Sequence, residues 1–133
     1  MKLRVVSSKS EIDSVSKNEQ MVHLAFRASN TDIFRLFQNC PRLRAIQVPT
    51  SYRKTLSRAS EMFLDMQGVE LIEGDVWGHR KDINEYYIID DAVLNRIKQL
   101  QKSGMGTNEI ASSISKETRL SPELVKYAIK QSA

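Results

Sequence analysis

The sequence predicts an α/β protein in which a short parallel sheet is followed by a C-terminal three-helix unit. Four short apolar runs rich in β-branched residues alternate with amphipathic helical patterns, in the order β-α-β-α-β-α-β. The connections between these runs are long enough for right-handed crossovers, so the strands are expected to be parallel and covered by helices. We predict four or five strands with flavodoxin-like or Rossmann-like winding.

The predicted strands are Leu3–Val6, Met21–Phe26, Leu43–Val48 and Val69–Glu73, with Glu85–Ile89 as a fifth strand at an edge. Their spacing also falls within the leucine-rich-repeat period, and "NCPRLRAIQVP" resembles the start of such a repeat. Only one unit carries that pattern, whereas a solenoid needs several similar units, so the wound sheet is favoured. The same region resembles flavodoxin-like halves of 2-hydroxy-acid dehydrogenases in pattern only. Because the chain has no G-x-G-x-x-G, that chemistry does not carry over.

Polar residues mark the expected starts of the connecting helices. Two pairs fit a capping box placed just after a strand, Ser8 with Glu11 and Ser29 with Asp32, and Thr50 or Ser51 offers a cap for the third helix. That third helix has an apolar face predicted to be core, formed by Leu56, Ala59, Met62, Phe63 and Met66. Pro41 and Gly68 are expected to end the second and third helices.

The length and composition limit which classes of protein the chain can belong to. The 133 residues suit one domain or one domain with a small appendage, and the formal charge is only +4, from 20 basic and 16 acidic residues. With one cysteine and two histidines, neither a disulfide nor a structural metal is expected. We expect no cofactor, a buried inert thiol at Cys40 and a hydrogen-bonded core histidine at His23. Without a leader or a long apolar run, the protein is expected to be cytoplasmic, with no membrane contact.

The chain is expected to divide into an α/β domain over residues 1–89 and a helical unit over residues 90–133. In the latter, "GMGTNEIASSIS" followed by "LSPELVKYAIK" resembles a helix-turn-helix, as in many transcription regulators. That resemblance would place four side chains toward a DNA groove: Ser121, Glu123, Lys126 and Lys130. Ala111 and Val125 stand fourteen positions apart, against about ten in the standard motif. A helical cap that packs on the sheet, or on a second subunit as a homodimer, therefore remains the alternative.

Polar side chains also follow the predicted strands at their carboxyl ends, where open parallel sheets bind ligands. Helix N-termini, hydroxyl groups and arginines suit a small anion such as a phosphate or carboxylate. The candidate ligand-binding residues are Ser8, Arg27, Ser29, Thr50, Ser51, Arg53, Trp77 and Arg80. Catalysis would further need a base, for which His79 is the candidate with Asp75 as its orienting partner. The plainer interpretation makes the hydroxyls helix caps and Trp77 the filling of a seam.

Four segments carry a family resemblance: "RVVSS", "VHLAFRASNTDIF", "CPRLRAIQVPTSY" and "MQGVELIEGDVWGHRKDINEYY". They resemble an uncharacterised family of small proteins from methanogenic archaea, a domain of unknown function, over roughly residues 1–87. The resemblance implies an archaeal cytoplasmic setting and no assigned activity or site. Three functions remain open: a binding or regulatory module with an anion site and a helical unit that contacts DNA or protein, a small metabolic enzyme, and a dimerising scaffold.

Overall fold

A computed structural model describes residues 1–76, 79 and 84–132. The strands are β1 Lys2–Val6, β2 Met21–Leu24, β3 Ala45–Val48, β4 Glu70–Glu73 and β5 Tyr86–Ile88. The helices are α1 Asn30–Asn39, α2 Thr50–Arg53, α3 Arg58–Met66, α4 Asp91–Lys102, α5 Thr107–Thr118 and α6 Pro122–Ser132, and a 3-10 helix spans Lys9–Ser14. No helix within these ranges is long and apolar enough to cross a membrane.

The five strands form one sheet in the order β4-β3-β2-β1-β5. Strands β1 to β4 are parallel, and β5 pairs antiparallel with β1 at one edge. The predicted fold class, a mostly parallel sheet of four or five strands with C-terminal helices, is confirmed. The winding is simpler than the flavodoxin-like and Rossmann-like orders, because β1 to β4 follow one another in a single direction. Right-handed crossovers then place every connecting helix on one face of the sheet.

Each face of the sheet has its own core. On the face covered by the 3-10 helix, α1 and α3, the central strands contribute Val22, Leu24, Ile46 and Val48. On the other face Leu3, Met21, Ala45 and Ile72 pack against residues of α4, α5 and α6, among them Ile97, Ile110, Ile114, Leu124 and Ala128. The three-helix unit therefore occupies the face that a doubly wound sheet would cover with crossover helices.

The predicted capping box at the start of α1 is confirmed. The Ser29 hydroxyl accepts a hydrogen bond from the Asp32 backbone N–H at 3.2 Å, and the Asp32 carboxylate accepts one from the Ser29 N–H at 2.9 Å. Asp32 is buried by this arrangement. Two backbone donors that have no partner within the helix are thereby satisfied.

Replacing Ser29 with alanine is expected to lower the free energy of unfolding by about 1 kcal/mol, because the Asp32 N–H loses its acceptor. Urea unfolding at neutral pH measures this. Ser51→Ala is the matched control, since Ser51 is exposed on α2 and does not cap it; its effect should stay within about 0.5 kcal/mol. Equal losses in the two variants would contradict the capping role.

Two other predicted caps are wrong. The Ser8 side chain lies 2.9 Å from the Ser10 hydroxyl and does not cap the 3-10 helix. The third crossover begins with the short α2, which has Pro49 at its N-cap and no side-chain cap. The longer α3 starts later, with the Ser57 hydroxyl accepting a hydrogen bond from the Ser60 N–H at 3.0 Å.

The orientation of α3 also differs from the prediction. Its buried residues are Ser60 and Leu64, whereas Met62 and Met66 are 55% and 79% exposed. Ser60 turns inward because its hydroxyl donates a hydrogen bond to the Asn30 side chain at 2.7 Å, which joins α3 to the start of α1. The helix ends as predicted at Gly68, whose φ of 73° is the left-handed conformation that glycine adopts readily.

The single cysteine is confirmed as a buried thiol. Cys40 ends α1 just before Pro41, and its Sγ lies 3.4 Å from the Ser16 carbonyl oxygen. Burial raises the pKa of this thiol to about 11, so the reactive thiolate is scarce at neutral pH.

Candidate functional site

Several of the predicted anion-binding residues have local partners of their own. Arg53 forms an ion pair with Glu61 at 2.6 Å, and Ser29 is engaged in the α1 capping box. The Arg27 guanidinium carbon lies 5.9 Å from the centre of the Tyr52 ring. Thr50 and Ser51 are exposed on α2, while Trp77 and Arg80 lie outside the described residues. Anion binding at this edge of the sheet stays a prediction.

The two predicted catalytic residues lie near the face covered by the three-helix unit. The His79 ring meets the Tyr87 ring edge-on at 6.2 Å, and Tyr87 packs on the core beneath α4 to α6. Asp75 is exposed. Among the described residues, no group of three or more histidine, cysteine, aspartate or glutamate side chains could hold a metal ion. A catalytic role for His79 and Asp75 stays a prediction.

Beneath the three-helix unit the sheet carries a buried polar pair. His23 on β2 and Gln47 on β3 are each 1% exposed, and His23 Nδ1 lies 2.7 Å from Gln47 Oε1. His23 is thus the hydrogen-bonded core histidine that was predicted. Burial lowers its pKa below the ordinary value, although the Gln47 hydrogen bond and the charge of Asp75 act in the opposite direction. We therefore expect His23 to be neutral at pH 7.

The Gln47 amide lies at a tight contact between the three-helix unit and the sheet. A Cβ atom at Gly74 would lie 2.5 Å from Gln47 Nε2 and 2.5 Å from the Ser121 hydroxyl. Gly74 itself is buried, and its N–H donates a hydrogen bond to the Val48 carbonyl at 2.9 Å. The missing side chain is what lets the residue before α6 contact the end of β4. We call this contact, formed by Gln47, Gly74 and Ser121, the seam.

Three of the four residues that were predicted to face DNA have partners within the protein. The Ser121 hydroxyl caps α6 by accepting a hydrogen bond from the Leu124 N–H at 3.1 Å. The Glu123 carboxylate accepts one from the Glu73 N–H of β4 at 3.2 Å, and Lys130 forms an ion pair with Glu70 of the same strand. Glu123 and Lys130 thus bind α6 to β4 and Ser121 caps the helix, so Lys126 alone of the four has no described partner.

A groove between α5 and α6 brings Lys126 together with side chains that sequence reasoning missed. It has a volume of about 430 Å³, and its lining residues are Asn108, Ala111, Ser112, Ser115, Lys116, Pro122 and Lys126. The sequence signal was the polar series Asn108, Ser112 and Lys116, which at four-residue spacing forms one face of α5. We call this site the α5–α6 groove.

The groove carries two lysines. Lys116 and Lys126 are both exposed, and neither forms an ion pair with any described residue, whereas Glu117 pairs with Arg96 at 3.4 Å. Arg119 follows at the turn between the two helices and has a positive φ of 64°. The Ser115 hydroxyl is buried and has no hydrogen-bond partner in the described part of the chain. Two free ammonium groups beside polar side chains suit contact with phosphates.

The fold and the groove together define a helix-turn-helix unit packed on one face of a mostly parallel α/β sheet. The chain belongs to the DUF1699 family: residues 2–85 match its N-terminal domain, a family of unknown function, and residues 92–130 match its C-terminal HTH domain, also in a protein of unknown function. No curated protein and no solved structure matched the chain.

Proposed function

We propose that this protein is a DNA-binding regulatory protein that holds the backbone of duplex DNA against the α5–α6 groove. The observation that carries the proposal is the match of residues 92–130 to a helix-turn-helix domain, because that motif places two consecutive helices against DNA. The exposed lysines beside the groove support it, since sequence-independent affinity for DNA comes from neutralising phosphates. The source, the cytoplasmic location and the anion site stay predictions.

Because most of α6 is buried, we expect its DNA contacts to be mainly with phosphates. Leu124, Val125, Tyr127, Ala128 and Ile129 are all buried, so only a narrow stripe of the helix is exposed. A side chain reads bases only where it can reach their edges in a groove, whereas lysines contact phosphates from the rim. We therefore propose that Lys116 and Lys126 contribute phosphate contacts, while Ser121 and Glu123 position α6.

The double variant Lys116→Gln and Lys126→Gln tests the proposal. Binding to a fluorescent mixed-sequence duplex should fall roughly 50-fold at about 0.1 M salt. The slope of log K against log salt should also shrink by about 1.8, because each phosphate contact contributes about 0.9. Fluorescence anisotropy over a salt series measures both quantities.

The matched control is Lys17→Gln with Lys54→Gln. These lysines are also exposed and form no ion pair with any described residue, but they lie outside the helical unit. The control loses the same total charge and should keep the wild-type slope to within experimental error. If the two double variants lose affinity equally, only net charge matters and the groove is not the site. If the wild-type protein does not bind DNA even at low salt, the proposed function is wrong.

A further inference from the structure

Helix α3 presents an apolar stripe to solvent on the side of the molecule opposite the helix-turn-helix unit. Met62 and Met66 are 55% and 79% exposed, and Phe34 of the neighbouring α1 is 48% exposed. Beside this stripe, a cavity of about 340 Å³ opens between α1 and α3, lined mainly by apolar groups of Ile33, Phe34, Ala59 and Phe63. Contiguous exposed apolar groups of this kind mark interaction surfaces.

The charges at the two ends of the stripe identify its partner. Arg58 is the first residue of α3 and Asp65 lies in its last turn, so each charge stands at the unfavourable end of the helix dipole. Both are exposed, and neither forms an ion pair with another described residue, whereas the neighbouring Glu61 and Arg35 are paired with Arg53 and Asp13. An antiparallel copy of the same helix would give both charged residues an opposite charge nearby. It would set Arg58 beside the partner's Asp65 and near the C-terminal end of the partner helix.

We propose that two copies of this chain associate through α3, packed antiparallel about a two-fold axis near Met62. Residues 58, 62 and 65, with 59 and 66 beside them, share one helix face at spacings of three and four. In the pair, Met62 contacts the partner's Met62, and two Arg58–Asp65 ion pairs form at the ends of the contact. Met66 reaches the small residue Ala59 of the other copy and the mouth of its α1–α3 cavity. The interface is self-complementary, as two-fold symmetry requires.

The contact is small, which is typical of weak association. Helix α3 has nine residues and is therefore about 13 Å long, so two such helices with Phe34 at the margin form an interface at the small end of the specific range. We expect a dissociation constant on the order of 10 to 100 µM. Since α4, α5 and α6 cover the opposite face of the sheet, the pair leaves both α5–α6 grooves open.

Sedimentation equilibrium of the full chain, without DNA, tests the pairing from about 5 to 500 µM, a range that brackets the expected constant. The wild-type protein should shift from monomer to dimer across this range. Met62→Lys places two like charges at the two-fold axis and should leave only monomer. Arg58→Asp and Asp65→Arg should each weaken association roughly tenfold, and the variant carrying both changes should recover it because the ion pairs re-form with reversed polarity. Recovery in the double variant is the result that a purely structural effect would not produce.

Ile88→Lys is the matched control, because Ile88 is a similarly exposed apolar residue, at 62%, on the edge strand β5. This variant should dimerise like the wild type, and circular dichroism should show that all variants keep the wild-type fold. A wild-type protein that is monomeric throughout the range would overturn the proposal. So would a dimer that Met62→Lys leaves intact, or one that Ile88→Lys abolishes. Because no DNA is present, failure here is independent of the function proposed for the α5–α6 groove.

Discussion

Replacing Gly74 with alanine is expected to lower the free energy of unfolding by about 2 kcal/mol. The new methyl group would stand 2.5 Å from both Gln47 Nε2 and the Ser121 hydroxyl, and 2.8 Å from Ser121 Cβ. Moving either neighbour would cost free energy, because Gln47 is hydrogen-bonded to His23 and Ser121 caps α6. Relief therefore requires α6 to shift away from β4, and overpacking of a tight contact costs about 1–3 kcal/mol.

Gly106→Ala is the matched control for this prediction. Gly106 stands at the N-cap of α5 with a φ of −71°, and a Cβ atom there meets nothing within 4 Å. Its effect should be about 0.5 kcal/mol, because alanine is a poorer N-cap than glycine. Urea unfolding followed by circular dichroism separates the two variants. Equal and small effects at the two positions would mean that the three-helix unit does not contact the sheet at Gly74.

Stability is expected to fall with pH below about 6.5 because of His23, and His23→Asn should remove that part of the dependence. The pKa of His23 is lowered in the folded protein by burial, so between its folded and unfolded values the unfolded chain binds more protons. The free energy of unfolding must then decrease as the pH falls through that window. The slope due to this one group is at most about 1.4 kcal/mol per pH unit.

The measurement is urea unfolding of the wild type and His23→Asn at pH 7.5, 6.5 and 5.5. Asp75 and His79 act on the same ring electrostatically and are present in both proteins, so the difference between the two curves reports on His23. Above the unfolded pKa the wild type should have its full advantage, and the difference should shrink as the pH falls. A difference that stays constant over the range would show that His23 gains a proton as readily in the folded protein as in the unfolded chain.

The predictions for Gly74 and His23 both concern the seam. His23 bonds to Gln47 through the Gln47 carbonyl oxygen, and the amide nitrogen of the same side chain faces Gly74 and the start of α6. Gln47 Nε2 is buried and has no hydrogen-bond partner among the described residues. A buried amide donor without a partner costs free energy. Substitutions at Gly74 and His23 are therefore expected to be non-additive, because both disturb Gln47.

Sequence patterns were sufficient to predict the features that depend on a few neighbouring residues. The apolar runs of β1 to β4 and the edge strand near Tyr86 were predictable because their composition favours strands. The box at Ser29 and the left-handed turn at Gly68 depend on contacts within one helix end. The resemblance of the C-terminal unit to a helix-turn-helix also came from local apolar spacing.

Contacts between distant residues account for what sequence reasoning missed. The pattern of α3 showed one apolar face, yet the hydrogen bond between Ser60 and Asn30 turns that helix so that Met62 and Met66 face solvent. In the same way, Ser121 and Glu123 were assigned to DNA because they are polar and begin a second helix. The structure adds partners within the protein that the sequence did not predict, since Ser121 caps α6 and Glu123 binds β4, and it places Lys126 beside Lys116; DNA contact by these residues stays a prediction.

The sequence by itself determined the elements, several of their ends and the class of the C-terminal unit, because apolar periodicity and helix-end chemistry act over a few residues. Only the tertiary structure decided the strand order, the face on which the three-helix unit lies, the seam at Gly74 and the pairing of lysines across the α5–α6 groove. Each of these joins residues far apart in the chain, such as Glu73 with Glu123 and His23 with Gln47. Such contacts are selected by the packing of whole surfaces, to which periodicity within one segment contributes only in part.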